Sequence, residues 1–316
     1  FIFYVLKTTF SKSPIFRVNN KKFGGTYMNN IPIISNEQNY LNPQNLIQPL
    51  TKVMSALFNE QIDFSHTTTL NIGSIKINKQ KAPATVSIGP FSLKHNHLSP
   101  FDREVFNGIC TLYSDNHTVM TAKQIYTAMA GKSTTSQKIL SKVTASISKM
   151  RTIGFCFNWE DHAKMKHLSE EYNCKFQGYL LPMYDIKIQY GNKLISGYQL
   201  IEEPILLTYA RAVKQISTTS TQILNNLEIS NTEETIILKN YLIRHVEHLR
   251  CNSHWNPTIT FERLFETCNI KKDPRLIGRK RTTIKKILDT WKKLGYIADY
   301  KTQKHGNIYY SLTIFI

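Results

Sequence analysis

The stretch Gly278–Ile297 reads "GRKRTTIKKILDTWKKLGYI". It opens on three consecutive cations and then settles into an apolar pattern at helical spacing. Ile284, Ile287, Leu288, Trp291 and Leu294 fall on one side of a helix at about 100° per residue. Arg279, Thr282, Lys286 and Lys293 then point the other way, with Lys285 and Lys292 on the flanks. Cations at a helix start would face the positive end of the helix dipole, at a cost of a few tenths of a kcal/mol or more each. That cost is worth bearing where an anionic partner offsets it.

The same grammar occurs earlier in the chain. Aligning Gly154 with Gly295 matches Val143 to Ile284, Ile147 to Leu288, Met150 to Trp291 and Ile153 to Leu294. Phe155 then matches Tyr296, with a strand expected to begin in both copies and each glycine acting as a left-handed helix stop. Helices are expected at "LSPFDREVFNGICTLY", with Ser99 as N-cap and Pro100 at the first position, at "TAKQIYTAMAG", closed by Gly131, and at about 135–152. "IGFCFNW" reads as a strand, "YDIKIQYGNKLISGYQLI" as a hairpin turning at Gly191–Asn192, and "EEPILLTYARAVKQI" as a helix. The second half repeats the plan. A long helix spans about 233–250 and a short one 261–268; the opening stretch is the third, and two strands flank the turn "KTQKHGN". The order helix, helix, helix, hairpin is that of a winged helix. The fold expected is therefore α+β, with two tandem winged-helix domains at 98–216 and 231–316 joined by a linker at 217–230.

In front of them, 28–97 reads as an arm with a short helix at about 49–58 and short strands beyond it. The first Met is Met28, two codons after a Gly24–Gly25 pair that can be encoded by a ribosome-binding sequence. Residues 1–27 are therefore expected to be translated upstream sequence and the protein to start at Met28. A peptide from the first 27 residues in the native protein would refute this.

Composition bounds the function. The chain has 316 residues, 41% of them hydrophobic, and a net charge of +18, with a pI near 9.6. A polyanionic partner is expected, nucleic acid before an anionic membrane. No apolar run approaches a membrane span. Five cysteines without CxxC spacing fit reduced thiols and a cytoplasmic location. Between Lys271 and Lys304 lie twelve Lys/Arg and three Asp, a net of +9 and half the excess of the whole chain. In a helix-turn-helix the second helix of the pair enters the major groove with its N-terminal residues first. The expected DNA contacts are therefore Arg275, Arg279, Lys280, Arg281, Thr282, Lys285, Lys286 and Lys293 on the helix, and Lys301 and Lys304 on the wing. Arg can read guanine bidentately, while Lys mostly holds phosphate. The first domain offers only Lys138, Lys142 and Lys149 on one flank, with Thr134, Ser141 and Ser148 outward, which suits weaker DNA contact or a protein interface.

Enzyme signals fail one by one, and neither catalysis nor a cofactor is expected. "AGKST" at 130–134 lacks the earlier glycine of a phosphate loop, that position being Tyr126, so it reads as a turn. "HNH" at His95–His97 has Asn where a His-hydrophobe-His metal motif needs an apolar residue. "HVEHLRCNSH" sets His245, His248, Cys251 and His254 three apart, so about 60° of drift per step turns the first and last to opposite sides of a continuous helix.

The segments "LSPFDREVF", "EETIILKNYLIRHV" and "RTTIKKILDTWKKLGYI" resemble replication initiator proteins of plasmids and related mobile elements, over roughly residues 90–316. The resemblance implies tandem winged helices on repeated double-stranded origin sites, with the C-terminal domain making the main contact. It also implies N-terminal dimerisation in a monomer–dimer equilibrium, recruitment of host replication proteins, and a bacterial setting. The alternatives are a transcriptional repressor or copy-control protein on the same fold and, less favoured, a rolling-circle nicking enzyme using His95 and His97. Direct repeats beside an AT-rich tract would point to initiation, and a single inverted repeat at the promoter to repression.

Overall fold

The computed structural model describes residues 43–59, 68–77, 80–89, 97–158, 175–190, 192–225, 229–271, 273–306 and 308–316. The expectations for the Met28 start, for His95 and for the turn residue Gly191 lie outside them. The fold is mixed α+β, with small antiparallel sheets set around a continuous helical core.

Its first half is built on α2 (Pro100–Ser114). Ser99 and Asp102 form a reciprocal capping box and Pro100 occupies the first turn, so the helix starts where the sequence says it should. Phe101, Val105, Ile109 and Leu112 make an apolar stripe at helical spacing, but α2 is buried nearly all round. Short β4 (Val119–Met120) leads into α3 (Ala122–Ala130), which ends at Gly131 with φ +79°. α4 (Gln137–Arg151) follows. Gly108 lets α2 and α3 approach closely, since a Cβ there would meet the Ile125 carbonyl oxygen at 2.7 Å. The hairpin of β7 (Met183–Tyr190) and β8 (Lys193–Leu200) closes the unit, with sheet order β4-β8-β7.

The second half repeats this. α7 (Glu233–Cys251), β10 (Thr258–Thr260), α8 (Phe261–Thr267) and α9 (Pro274–Lys293) precede β11 (Asp299–His305) and β12 (Ile308–Phe315). The sheet order, β10-β12-β11, is the same as in the first half. The repeat departs from expectation at Gly154. This residue begins β5 (Gly154–Asn158), which joins β6 (Lys175–Tyr179) in a separate four-stranded sheet with β2 (Thr68–Ile77) and β3 (Gln80–Gly89). The hairpin that matches β11–β12 is thus β7–β8, and Phe155 is no counterpart of Tyr296. The strand that captures 154–158 is Thr85–Gly89, a partner invisible in the local pattern.

The supposed arm and linker pair with each other. β1 (Asn45–Pro49) runs antiparallel to β9 (Ile216–Ser220), Asn45 opposite Ser220 and Pro49 opposite Ile216. Ser217 and Thr219 are buried and share a hydrogen bond of 3.0 Å, so a stretch polar enough to read as linker serves as a strand. α1 (Lys52–Asn59), α5 (Ile205–Ala212) and α6 (Gln222–Asn225) complete the described helices.

α2 and α7 meet across the middle. Arg244 on α7 donates to Glu104 on α2 at 2.7 Å, and both are buried. Gln48 donates to Asn240 at 3.1 Å, and Asn240 donates to the Met129 carbonyl at 3.1 Å. Beside them Asn231 donates to the Ala130 carbonyl at 3.0 Å and accepts from Lys239 at 2.7 Å.

Lys239 is fully buried, and this burial, with the nearby Lys132 charge, lowers its pKa to about 7. The folded pKa lies below the unfolded one, so between them the unfolded chain binds more protons. Stability should therefore rise as pH climbs from about 7 to about 10.4, with the full penalty present below pH 7. Lys239→Met should flatten that rise and stabilise the protein at pH 7 by on the order of 1–3 kcal/mol in urea unfolding. An unchanged pH slope would refute the assignment.

Candidate nucleic-acid interface

α9 begins four residues earlier than the cations suggest. Asp273 is its N-cap and accepts from the amides of Arg275 at 2.8 Å and Leu276 at 3.4 Å, with Pro274 in the first turn. Arg279, Lys280 and Arg281 therefore lie in the second turn, beyond the reach of the strongest dipole repulsion, which fades within the first turn. The electrostatic conflict at the helix start is smaller than expected: Arg275 still stands in the first turn, but the Asp273 cap beside it offsets its charge.

The apolar face is largely as the spacing predicts. Ile284, Ile287, Leu288 and Trp291 are buried. Trp291 donates Nε1 to the Ile223 carbonyl at 3.2 Å and meets Tyr296 edge-on at 5.2 Å. Leu294 departs from the stripe and is 46% exposed. The helix ends at Lys293, and Gly295, with φ +69°, turns the chain away.

The expected contact residues divide into two groups. Arg275, Arg279, Thr282, Lys285, Lys286 and Lys293 are exposed on α9, as are Lys301, Lys304 and His305 on β11. Lys280 is buried and paired with Glu234, the second residue of α7. Lys280 was expected outward. It turns in because Glu234, distant in sequence, stands against this helix. Arg281 is half-buried: it donates Nη2 to the Tyr309 carbonyl at 3.1 Å and lies over the rings of Phe261 at 5.4 Å and Tyr309 at 5.7 Å. β11 also runs through "KTQKH", so Lys301 and Lys304 sit on a strand, and the turn is at Gly306 with φ +60°. The ring of Tyr309 lies 4.6 Å from the Lys304 ammonium, and that of Phe315 5.6 Å from Lys301.

In the first unit, Lys138, Ser141 and Ser148 are exposed on α4. Lys142 is paired with Glu233 of α7, and Lys149 with the buried capping residue Asp102 at 2.7 Å. The acids that engage these lysines went unread in the sequence. Asp102 and Glu233 were legible as first-turn helix acids, but nothing local pairs them with a particular lysine.

The histidines of "HVEHLRCNSH" have other occupations. His245 is buried, accepts from Trp255 Nε1 at 3.3 Å, and is lowered to a pKa of about 4 by burial. His248 stacks on Trp255 at 4.5 Å and is lowered likewise to about 4, by burial first and by Arg103 and Arg244 next. Cys251 is exposed. Among the described residues, no group of three or more His, Cys, Asp or Glu could hold a metal ion. "AGKST" is a turn closing α3, and Lys132 donates to the Ile229 carbonyl at 3.4 Å. No helix among the described residues is long and apolar enough to cross a membrane.

No family model matches the chain, and no curated protein matches it. Two crystal structures of domains 2 and 3 of RctB, one of them of selenomethionine derivatives, resemble the chain. Each covers 84% of this chain and 96% of its own length at 14% identity, with TM-scores of 0.42 and 0.41. At that distance the likeness carries no residue and no activity across.

Gly278 sits exposed inside α9, and a Cβ there would meet nothing within 4 Å. Gly278→Ala should therefore stabilise the unbound protein by roughly 0.5–1 kcal/mol through helix propensity alone, measured by urea unfolding. A loss of stability would contradict the open environment described.

Proposed function

We propose that the two helix–strand–helix–helix–hairpin units are winged helices and that the chain binds double-stranded DNA sequence-specifically. It initiates replication at an origin with repeated sites, in a plasmid or mobile element, and acts by binding rather than by catalysis. One observation carries the reading. On the described surface of α9 and β11, Arg275, Arg279, Lys285, Lys286, Lys293, Lys301 and Lys304 are exposed, while the neighbouring acids Asp289 and Asp299 are engaged by Tyr300 and Lys292.

The roles follow from side-chain chemistry. Arg279 and Thr282, one turn apart and outward, are placed to address base edges, and the lysines to neutralise phosphates. Lys301 and Lys304 extend the contact along the backbone from the wing. α4 is the lesser partner, since two of its three lysines are committed to Glu233 and Asp102. Lys280 and Arg281 leave the set of direct contacts on this reading. Repeated origin sites, dimerisation and host replication proteins belong to it through the family resemblance of the sequence.

Footprinting on the DNA flanking the gene at two salt concentrations tests it. Arg279→Ala with Lys286→Ala should weaken binding by at least about tenfold more than Lys138→Ala with Lys142→Ala. The first pair should also flatten the salt slope by about one to two charges. Equal losses from the two pairs, or no protection of duplex DNA, would overturn the reading.

A further inference from the structure

Arg281 stands in the run of cations that marks α9, yet its side chain faces the hairpin instead of solvent. Its guanidinium lies over two rings, Phe261 at 5.4 Å and Tyr309 at 5.7 Å, which themselves meet edge-on at 6.5 Å. Nη2 reaches the Tyr309 carbonyl at 3.1 Å, and Nε is buried without a hydrogen-bond partner. A group held in this way is unsuited to a base edge, because a guanidinium must be turned outward to offer its fork.

What Arg281 holds is the part of the wing that carries charge. Tyr309 lies directly opposite Lys304 in the β11–β12 ladder, next to a register shift between Gln303 and Lys304. The Lys304 ammonium lies 4.6 Å from the Tyr309 ring centre, so one ring is contacted by two cations, one from the helix and one from the wing. A bulge loosens the local ladder. The tie from α9 to the Tyr309 backbone supplies the restraint that the ladder gives up there.

We propose that Arg281 is a positioning residue. It fastens the wing to α9 through Tyr309 and thereby sets where Lys304 meets the phosphate backbone. The proposal rests on the duplex-binding reading for its function, whereas the tie is a property of the unbound protein. Lys at this position keeps the charge but loses the planar fork and much of the stacking. It therefore separates a tie from a simple charge.

The experiment has two arms. In hydrogen exchange of the unbound full chain, Arg281→Lys should speed exchange of the Tyr309 amide and the neighbouring β12 rungs by about tenfold or more, and Arg279→Ala should leave them unchanged. Unchanged exchange in Arg281→Lys overturns the tie, whatever happens with DNA. In the second arm, titration of a mixed-sequence DNA duplex across salt concentrations should show that Lys304→Ala lowers the slope by about one in the wild-type background. In the Arg281→Lys background the same change should have little effect, because Lys304 is no longer placed. Equal effects of Lys304→Ala in both backgrounds overturn the proposal. If the wild-type chain binds no duplex at any salt, the DNA reading fails, and the exchange arm alone decides whether Arg281 fastens the wing.

Discussion

Glu104 is a carboxylate with no exposure at all, on a helix buried on nearly every side. A charge in that position is tolerated only with a close partner, and the partner, Arg244, comes from the other half of the chain at 2.7 Å. A second guanidinium, Arg103, lies next to it, also buried, and is pushed toward its neutral form by burial and by Arg244. Such a cluster contributes little net stability, because desolvation cancels much of the attraction. It does constrain geometry, since any relative slip of α2 and α7 would strand a buried charge. The two halves share one seam as a result, and the rest of the architecture is arranged along it.

The first turn of α7 extends that seam to both candidate DNA-facing helices. Adjacent acids there take one lysine from each: Glu233 pairs with Lys142 of α4, and Glu234 with Lys280 of α9. The acids themselves sit well at a helix N-terminus. The Lys142 pair is exposed and contributes little energy. Even so, it holds one lysine of the weaker surface against a carboxylate. Together with Lys149 on Asp102, it leaves α4 poorer in outward charge than its sequence implies, and α9 as the dominant basic face.

The connector adds a third constraint. β9 pairs with the arm through β1, and the residues after it lie under α9, where Ile223 accepts the Trp291 indole proton. Segments that look expendable in composition thus hold the units in place. Ser, Thr, Asn and Gln serve here because their side chains satisfy one another and the backbone in a buried setting. Ser217 and Thr219 are an example, as is Thr221, whose hydroxyl donates to the Pro43 carbonyl.

Local patterns alone determined much of this protein. Apolar spacing placed Ile284, Ile287, Leu288 and Trp291 in the core, and capping chemistry located α2 and α3, because both signals act within a few residues. The same locality made Arg279, Thr282, Lys285, Lys286 and Lys293 legible as an outward set on α9. Only tertiary structure decided the rest. Whether Lys280, Arg281, Lys142 or Lys149 is free or engaged depends on Glu234, Tyr309, Glu233 and Asp102, which lie tens of residues away in the chain. Whether 154–158 belongs to the hairpin of its own unit or to another sheet depends on Thr85–Gly89, and whether 217–220 is linker or strand depends on 45–48. A charge or a strand edge is satisfied by whatever the fold brings within a few ångströms, and sequence proximity carries no record of it.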